Sequence, residues 1–100
     1  MTHTAVDAYV LETLMPDLVG HDRSPSAFLV YLHLWHRTAG TRERRASCSL
    51  AQLAEETGLS KSAVQAALRV LKRRRLVRAE RASITAVPVY EVLRPWVRSK

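Results

Sequence analysis

Basic side chains are concentrated in one segment of this sequence. Between Lys61 and Arg81 there are eight lysines and arginines and a single acid, Glu80, which leaves a formal charge of +7. The other 79 residues carry eight basic and eight acidic groups, so the whole net charge of the chain arises in this segment. Such a concentration attracts polyanions, of which nucleic acid is the commonest in a cytoplasm. The alternative is a solvated helix face, which the lack of compensating acids disfavours. The eight basic residues are Lys61, Arg69, Lys72, Arg73, Arg74, Arg75, Arg78 and Arg81.

Residues suited to catalysis or metal binding are scattered. The sequence has no glycine-rich phosphate loop, no nucleophile elbow and no His-Glu-x-x-His motif, so it does not predict an enzyme. His33 and His36 are spaced to share one helix face, but two ligands are too few for a metal site. Further ligands would have to come from His21 or from an acid. We therefore expect neither a metal nor a cofactor.

Cys48 is the only cysteine of the chain, which excludes an internal disulfide and a zinc cluster. A small, packed side chain is the favoured interpretation. The alternative is a redox-sensing thiolate whose pKa is lowered by Arg44 and Arg45, which are near in sequence.

The composition is typical of one globular domain, with 100 residues, 47% hydrophobic and 25% charged. No apolar run approaches the roughly 20 residues of a membrane span. The start of the sequence lacks the basic residues, apolar run and cleavage site of a signal peptide. We expect a cytoplasmic protein with no membrane partner.

The first elements are predicted from caps and apolar spacing. Thr4–Leu14 fits a helix with Thr4 and Asp7 in capping-box spacing, an apolar stripe and Pro16 just beyond its end. Tyr9–Leu11 alternatively fits a short strand, and Pro16–Asp22 is predicted to be a connector. The predicted apolar stripe consists of Val6, Val10, Leu14 and Met15.

A stronger helix is predicted to begin with Ser24 as its cap and Pro25 at its first position, and to end near Gly40. Its apolar arc covers roughly 200° at about 100° per residue. Since one packing partner needs less, we expect the first helix or a second subunit to cover the surplus.

The rest of the chain alternates short helices and strands. Ser49 and Gln52 form a capping-box pattern, Gly58 ends the helix that follows, and Ser60 caps the next one. Pro88 indicates that the last strand lies at an edge or starts there. The predicted elements are a strand at Ala46–Ser49, helices at Leu50–Thr57 and from Lys61 to about Arg74, and strands at Leu76–Arg81 and Val87–Leu93, connected around Ala82–Ala86.

Two short helices joined by a tight glycine turn, followed by a hairpin, define a winged helix-turn-helix, a mainly α fold with a small β-hairpin wing. Ala54 permits close helix approach, and Leu59 can pack the turn against the core. On the last helix, Val64, Ala67, Leu68 and Leu71 share the inward face. Ser62, Gln65, Ala66, Arg69 and Arg73 share the outward face, which fits a DNA major groove.

The sequence resembles the winged helix-turn-helix families of bacterial regulators, especially small modules also found in plasmid and phage replication proteins. The resemblance covers Ser24–Val92 and is strongest at residues 50–64, 67–71 and 75–77. It implies that Lys61, Ser62, Gln65 and Arg69 face DNA. One departure is the wing tip, residues 82–87, which lacks the glycine and arginine frequent in these families and fits a partner contact instead.

We assign a role to each predicted DNA-binding residue. Gln65 and Arg69 are candidates for base reading, because glutamine pairs with adenine and arginine with guanine. Arg42, Arg44 and Arg45 offer further phosphate contacts from a loop, whereas Arg74 and Arg75 are the weakest candidates, because they point toward the flank and core side. The predicted phosphate contacts are Ser60, Lys61, Ser62 and Arg73 on the helix, with Arg78 and Arg81 from the wing, and Lys72 completes the DNA-binding set.

Three functions remain open: a homodimeric transcriptional regulator that binds specific duplex DNA, a replication or plasmid-maintenance module with the same surface, and a winged-helix protein-interaction module. The dimer surface is expected on the first helix and the apolar arc of Ser24–Ala39.

We divide the chain into an N-terminal helix and connector (1–23), a winged domain (24–93) and a tail (94–100). In the tail, Trp96 either anchors a dimer or closes the domain. No effector pocket is evident.

Overall fold

The computed structural model describes residues 2–97. Within this range the chain is mainly helical with a small three-stranded antiparallel sheet, which confirms the predicted winged helix-turn-helix. An N-terminal helix occupies residues 8–21. No helix in the described range is long and apolar enough to span a membrane. The other elements are α1 (Pro25–Thr38), β1 (Arg45–Ser47), α2 (Leu50–Thr57), α3 (Lys61–Arg73), β2 (Val77–Glu80) and β3 (Val89–Val92).

The N-terminal helix differs from its prediction in position and length. Residues 2–7 are not helical, and helical backbone continues past Pro16 to His21. The predicted helix is therefore present, but its bounds at Thr4 and Leu14 are wrong. The strand at Tyr9–Leu11 and the connector at Pro16–Asp22 are wrong. Thr4 caps nothing, and its hydroxyl lies 2.5 Å from Nδ1 of His36.

Pro16 does not stop this helix because the backbone on both sides of it is wider than an α-helix. Val10–Leu14 and Asp17–His21 are π-helical, with bonds such as Asp22 N–H to the Asp17 carbonyl at 2.9 Å. In an α-helix the proline ring would clash with the carbonyl four residues earlier, and a π turn relieves that contact. Pro16 itself has a helical φ of −64°.

The N-terminal helix packs against α1. Val10, Leu14 and Leu18 are buried in one core with residues of α1, such as Tyr31 and Trp35. The surplus apolar arc of α1 is therefore covered by the first helix, one of the two predicted partners. Sequence analysis missed Leu18, because that residue fell in the supposed connector. Met15, predicted in the stripe, is instead 37% exposed, and Val6 is partly buried.

α1 begins as predicted. The Ser24 side chain accepts a hydrogen bond from the Ala27 N–H at 3.3 Å, and Pro25 occupies the first turn, where its missing N–H costs nothing. The Tyr31 hydroxyl donates to the Leu93 carbonyl at 2.9 Å, which ties the middle of α1 to the chain after β3.

In the sheet the strand order is β1-β3-β2, and both pairings are antiparallel. β3 is thus central, so the edge-strand alternative for Pro88 is wrong and the strand-start alternative is right: Pro88 directly precedes β3. Its carbonyl accepts from the Cys48 N–H at 3.2 Å, while its nitrogen needs no partner. β2 and β3 form a hairpin whose connection, residues 81–88, we call the wing.

Trp96 closes the domain. Its ring stacks on Tyr9 with centroids 4.5 Å apart, and its Nε1 donates to the Asp7 carboxylate at 3.1 Å. Trp35 is almost fully buried and donates to the Ala5 carbonyl at 2.8 Å. The chain after β3 therefore packs on the N-terminal segment. Residues 98–100 of the predicted tail lie outside the described residues, as does Met1.

Candidate nucleic-acid interface

Local capping sets the angle and spacing of α2 and α3. The Ser49 side chain accepts from the Gln52 N–H at 3.1 Å, and the Gln52 side chain accepts from the Ser49 N–H at 2.8 Å, which completes the predicted capping box. Gly58 ends α2 with φ of 80°, a left-handed conformation that glycine adopts without strain. Ser60 then accepts from the Ala63 N–H at 3.1 Å and starts α3.

α3 has one buried and one open face. Val64, Ala67, Leu68 and Leu71 are buried and pack α3 against α1 and α2, as the sequence predicts. Since the inward side chains fix the rotation of the helix, the residues between them must face solvent. Gln65 and Arg69 are exposed on that open face.

All nine residues of the predicted DNA-binding set are exposed in the structure. They nevertheless lie on different elements of the fold. Arg69 and Gln65 lie midway along α3, the three polar residues at 60–62 lie at its N-terminus, and Arg78 lies on β2. The nine are Ser60, Lys61, Ser62, Gln65, Arg69, Lys72, Arg73, Arg78 and Arg81.

A groove of about 460 Å³ separates α3 from the wing. Gln65, Arg69 and Lys72 line it from α3, and Arg81 and Ile84 line it from the wing. The fold therefore brings four residues of the predicted set together on one concave surface. Sequence analysis did not single out Ile84, since its only signal was the unusual absence of charge at the wing tip.

Arg78 belongs to a different surface. With Lys72 and Arg75 it lines a second groove of about 470 Å³ beside β2, and its guanidinium bonds to Glu91 at 3.1 Å. Arg75, which the sequence analysis placed toward the flank and core side, is exposed there. The core-side part of that prediction is wrong for Arg75, because the chain turns sharply after α3, where Arg75 has φ of 58°.

The basic residues of α3 and of the wing have no carboxylate partner in the described range. Among residues 2–97, no carboxylate oxygen lies within 4.0 Å of a basic nitrogen of Lys61, Arg69, Lys72, Arg73 or Arg81. Arg81 donates instead to the Ile84 carbonyl at 3.1 Å. Unneutralised cations on one surface produce the positive potential that attracts phosphate groups.

Basic residues elsewhere are engaged within the protein. Arg44 stacks over the Trp35 ring at 4.8 Å, and Arg45 bonds to Glu91 at 3.4 Å. Their predicted availability for phosphate is therefore reduced, while Arg42 is exposed. Arg74 binds the carboxylates of Asp17 and Asp22 in the N-terminal helix and just after it, with 2.7 Å to Asp22.

The histidine and cysteine candidates have structural partners. His33 lies 2.7 Å from Glu56, so it is not paired with His36 around a shared ligand position. Asp17, His21 and Asp22 lie close enough to hold an ion, but the Arg74 guanidinium already binds both carboxylates. Cys48 is fully buried, and burial raises the pKa of its thiol despite the charge of Arg37. The packed interpretation of Cys48 is right and the low-pKa thiolate is wrong.

A capped helix-turn-helix with an unpaired basic outer face and a β-hairpin beside it defines the winged helix-turn-helix class of DNA-binding proteins. A family model described as the MarR family matches residues 32–83, from the middle of α1 to the wing. The chain belongs to this family of winged helix-turn-helix transcriptional regulators. Neither the curated proteins nor the solved structures gave a match.

Proposed function

We propose that this protein regulates transcription by binding a specific duplex DNA sequence, with α3 in the major groove. The observation that carries the proposal is the exposed, unpaired face of α3 bearing Gln65 and Arg69 above a buried anchor. An α-helix fits the major groove, where each base pair presents its own pattern of donors and acceptors. Family membership favours transcription over the replication alternative.

Gln65 and Arg69 are the proposed base readers. They are four residues apart, so their side chains project from neighbouring turns of one helix face and reach successive base pairs. A glutamine amide pairs with adenine through two hydrogen bonds, and a guanidinium pairs with guanine in the same way. Neither side chain gives up a protein partner to do so, since neither has a side-chain hydrogen bond within residues 2–97.

Phosphate contacts surround the base readers. Ser60, Lys61 and Ser62 lie at the N-terminus of α3, where backbone N–H groups and the helix dipole favour an anion. Arg73 lies at the other end of the helix. Lys72 and Arg81 flank the groove, and Arg78 must first leave Glu91. These contacts position the helix and carry no sequence information themselves.

We further propose that the protein binds as a homodimer. One recognition helix reads few base pairs, and two copies related by a two-fold axis read a longer site. The exposed side chains of Leu11, Met15 and Val19 recur every four residues on the N-terminal helix, forming an apolar stripe with 48%, 37% and 37% exposure. A second copy of the stripe is its proposed partner.

Selection of bound sequences from a random duplex pool tests the proposal. We expect the protein to enrich a motif with two related half-sites. The matched control carries Gln65→Ala and Arg69→Ala, both at exposed positions, and should retain salt-sensitive binding without the motif. Absence of any DNA shift at about 50 mM salt, where electrostatic binding is strong, would overturn the proposal and favour the protein-interaction alternative.

A further inference from the structure

Ile84 stands at the tip of the wing with 88% of its surface exposed, the largest exposure among the large hydrophobic residues of the described range. A single exposed aliphatic side chain is common on protein surfaces and means little by itself. Ile84 differs from such residues because hydrogen bonds hold the turn that carries it and because it lines the groove beside α3.

The wing presents Ile84 on a hydrogen-bonded turn. The Ala86 N–H donates to the Ser83 carbonyl at 3.2 Å, which places Ile84 and Thr85 at the centre of the turn. The Arg81 guanidinium donates to the carbonyl of Ile84 itself at 3.1 Å. These bonds hold the backbone below the side chain, so ordering the tip on contact with a partner costs less entropy.

The same groove joins Ile84 to the proposed base readers. Gln65, Arg69 and Lys72 form its α3 wall, and Ile84 and Arg81 belong to its wing wall. A partner that covers the open face of α3 therefore meets the wing tip as well. Three unpaired cations, Arg69, Lys72 and Arg81, surround the groove, so the charge of its occupant must be strongly negative.

We propose that Ile84 is an apolar wedge that enters the DNA minor groove beside the major groove occupied by α3 and opens a base step there. The proposal rests on the proposed function. Isoleucine is among the side chains that proteins insert between base pairs from the minor groove to bend the duplex. A pyrimidine–purine step such as TA unstacks most easily, so the wedge selects sequence through deformability and forms no hydrogen bond to a base.

Two variants separate the wedge from general effects. Ile84→Ala shortens the tip at a position that is 88% exposed, so the core is not affected by the change. Leu29→Ala is the matched control, because Leu29 is an exposed aliphatic residue, at 45%, on α1 away from the groove. Circular dichroism confirms the fold of both before binding is measured.

The experiment measures affinity and DNA bending on a duplex from the selection, labelled at both ends for resonance energy transfer. We expect Ile84→Ala to weaken binding about tenfold and to reduce the bend. We expect it to abolish the preference for TA over a stiff AA step under the wing. The dependence of log affinity on log salt should not change, since no phosphate contact is lost. Leu29→Ala should behave as the wild type.

Equal affinity and equal bending of Ile84→Ala and the wild type would overturn the wedge and leave the proposed function intact, because the wild type still binds its site. Weaker binding with no change in bend or step preference would also overturn it, indicating simple contact with the DNA backbone. If the wild type selects no DNA sequence at all, the proposed function is wrong, and the wedge proposal that rests on it is overturned as well.

Discussion

Gln65 and Arg69 combine two properties: their side chains offer paired hydrogen bonds to a base edge, and they lie midway along the open face of α3. Lys61 and Arg73 lie at the two ends of α3, where we propose that they bind phosphate, a contact that acts on every sequence alike. Exposure alone does not separate these two roles, since all of these residues face solvent. Substitutions separate the two roles when the binding affinity is measured on several DNA sequences and at several salt concentrations.

Arg69→Ala should reduce the preference for one base pair of the selected site by about 5- to 150-fold, because a bidentate contact contributes about 1–3 kcal/mol. Binding titrations on the site and on its single-base variants measure this. The comparison variant, Arg73→Ala, should weaken all sequences equally and lower the salt slope by about 0.9. An equal loss on all sequences for Arg69→Ala would move that residue to the phosphate class.

At the scale of elements, the turn between α2 and α3 follows from local chemistry. Gly58 has a positive φ, and apart from its own chain neighbours nothing packs within 4 Å of the place a Cβ would occupy. A Cβ at position 58 would therefore cause no steric clash, and the cost of replacing Gly58 comes from backbone strain. Gly20 is the matched case: it also has open space around it, but it lies in the N-terminal helix without a positive φ.

We therefore expect Gly58→Ala to lower the free energy of unfolding by about 1–2 kcal/mol. Gly20→Ala should raise it by about 0.5–1 kcal/mol, because alanine is the better helix former. Urea unfolding of both variants measures the difference. A neutral Gly58→Ala would show that the turn does not depend on the left-handed conformation.

The ion pairs of Arg74 join the end of α3 to the N-terminal helix region. The hydrogen bond from His21, then the charge of Arg74, hold the pKa of the Asp22 carboxyl below its ordinary value of 3.8. A lowered folded pKa means that the carboxylate stabilises the fold above pH 3.8, and that this stability is lost as the pH falls through the lower folded pKa.

Arg74→Met should reduce the free energy of unfolding by about 2 kcal/mol at pH 7, since it removes charged hydrogen bonds at a partly buried site. The loss should shrink below pH 3.8, where Asp22 in the unfolded chain is protonated. Denaturant curves of wild type and variant from pH 7 to pH 2 test this. A pH-independent difference would assign the effect to packing of the arginine stem instead.

The sequence predicted α2, the turn and α3 almost to the residue, because short-range caps at Ser49, Gly58 and Ser60 determine them. It failed for the N-terminal helix, where Pro16 indicates a stop and only the π-helical backbone around it allows continuation. The groove between α3 and the wing depends on how the wing packs relative to α3. This is a long-range arrangement that the spacing of residues in the sequence does not reveal. The division into residues 1–23, 24–93 and 94–100 stays a prediction.

At the scale of the whole molecule, charge and apolar surface lie on different elements. The unpaired cations surround α3 and the wing, while the exposed stripe of Leu11, Met15 and Val19 lies on the acidic N-terminal helix. This separation lets one surface bind a second copy while the other binds DNA. α1 has less exposed apolar surface available for a contact between copies, because the N-terminal helix covers much of its apolar arc.

Leu11→Glu should raise the dissociation constant of the dimer about a hundredfold, because it buries an unpaired charge in an apolar contact. Leu29→Glu, a similarly exposed position on α1, should leave the dimer unchanged. Sedimentation velocity across micromolar concentrations distinguishes the two. A wild type that stays monomeric with and without DNA would contradict the dimer.

The most direct measurement is a nuclear magnetic resonance titration of the labelled protein with the selected duplex, following each backbone amide and the side-chain amide of Gln65. The largest shifts should occur at residues 60–73 and along the wing, with the Gln65 side chain among the most perturbed, and should disappear at high salt. Shifts confined to the N-terminal helix or to α1, with α3 unaffected, would contradict the assignment of the open face of α3 to DNA.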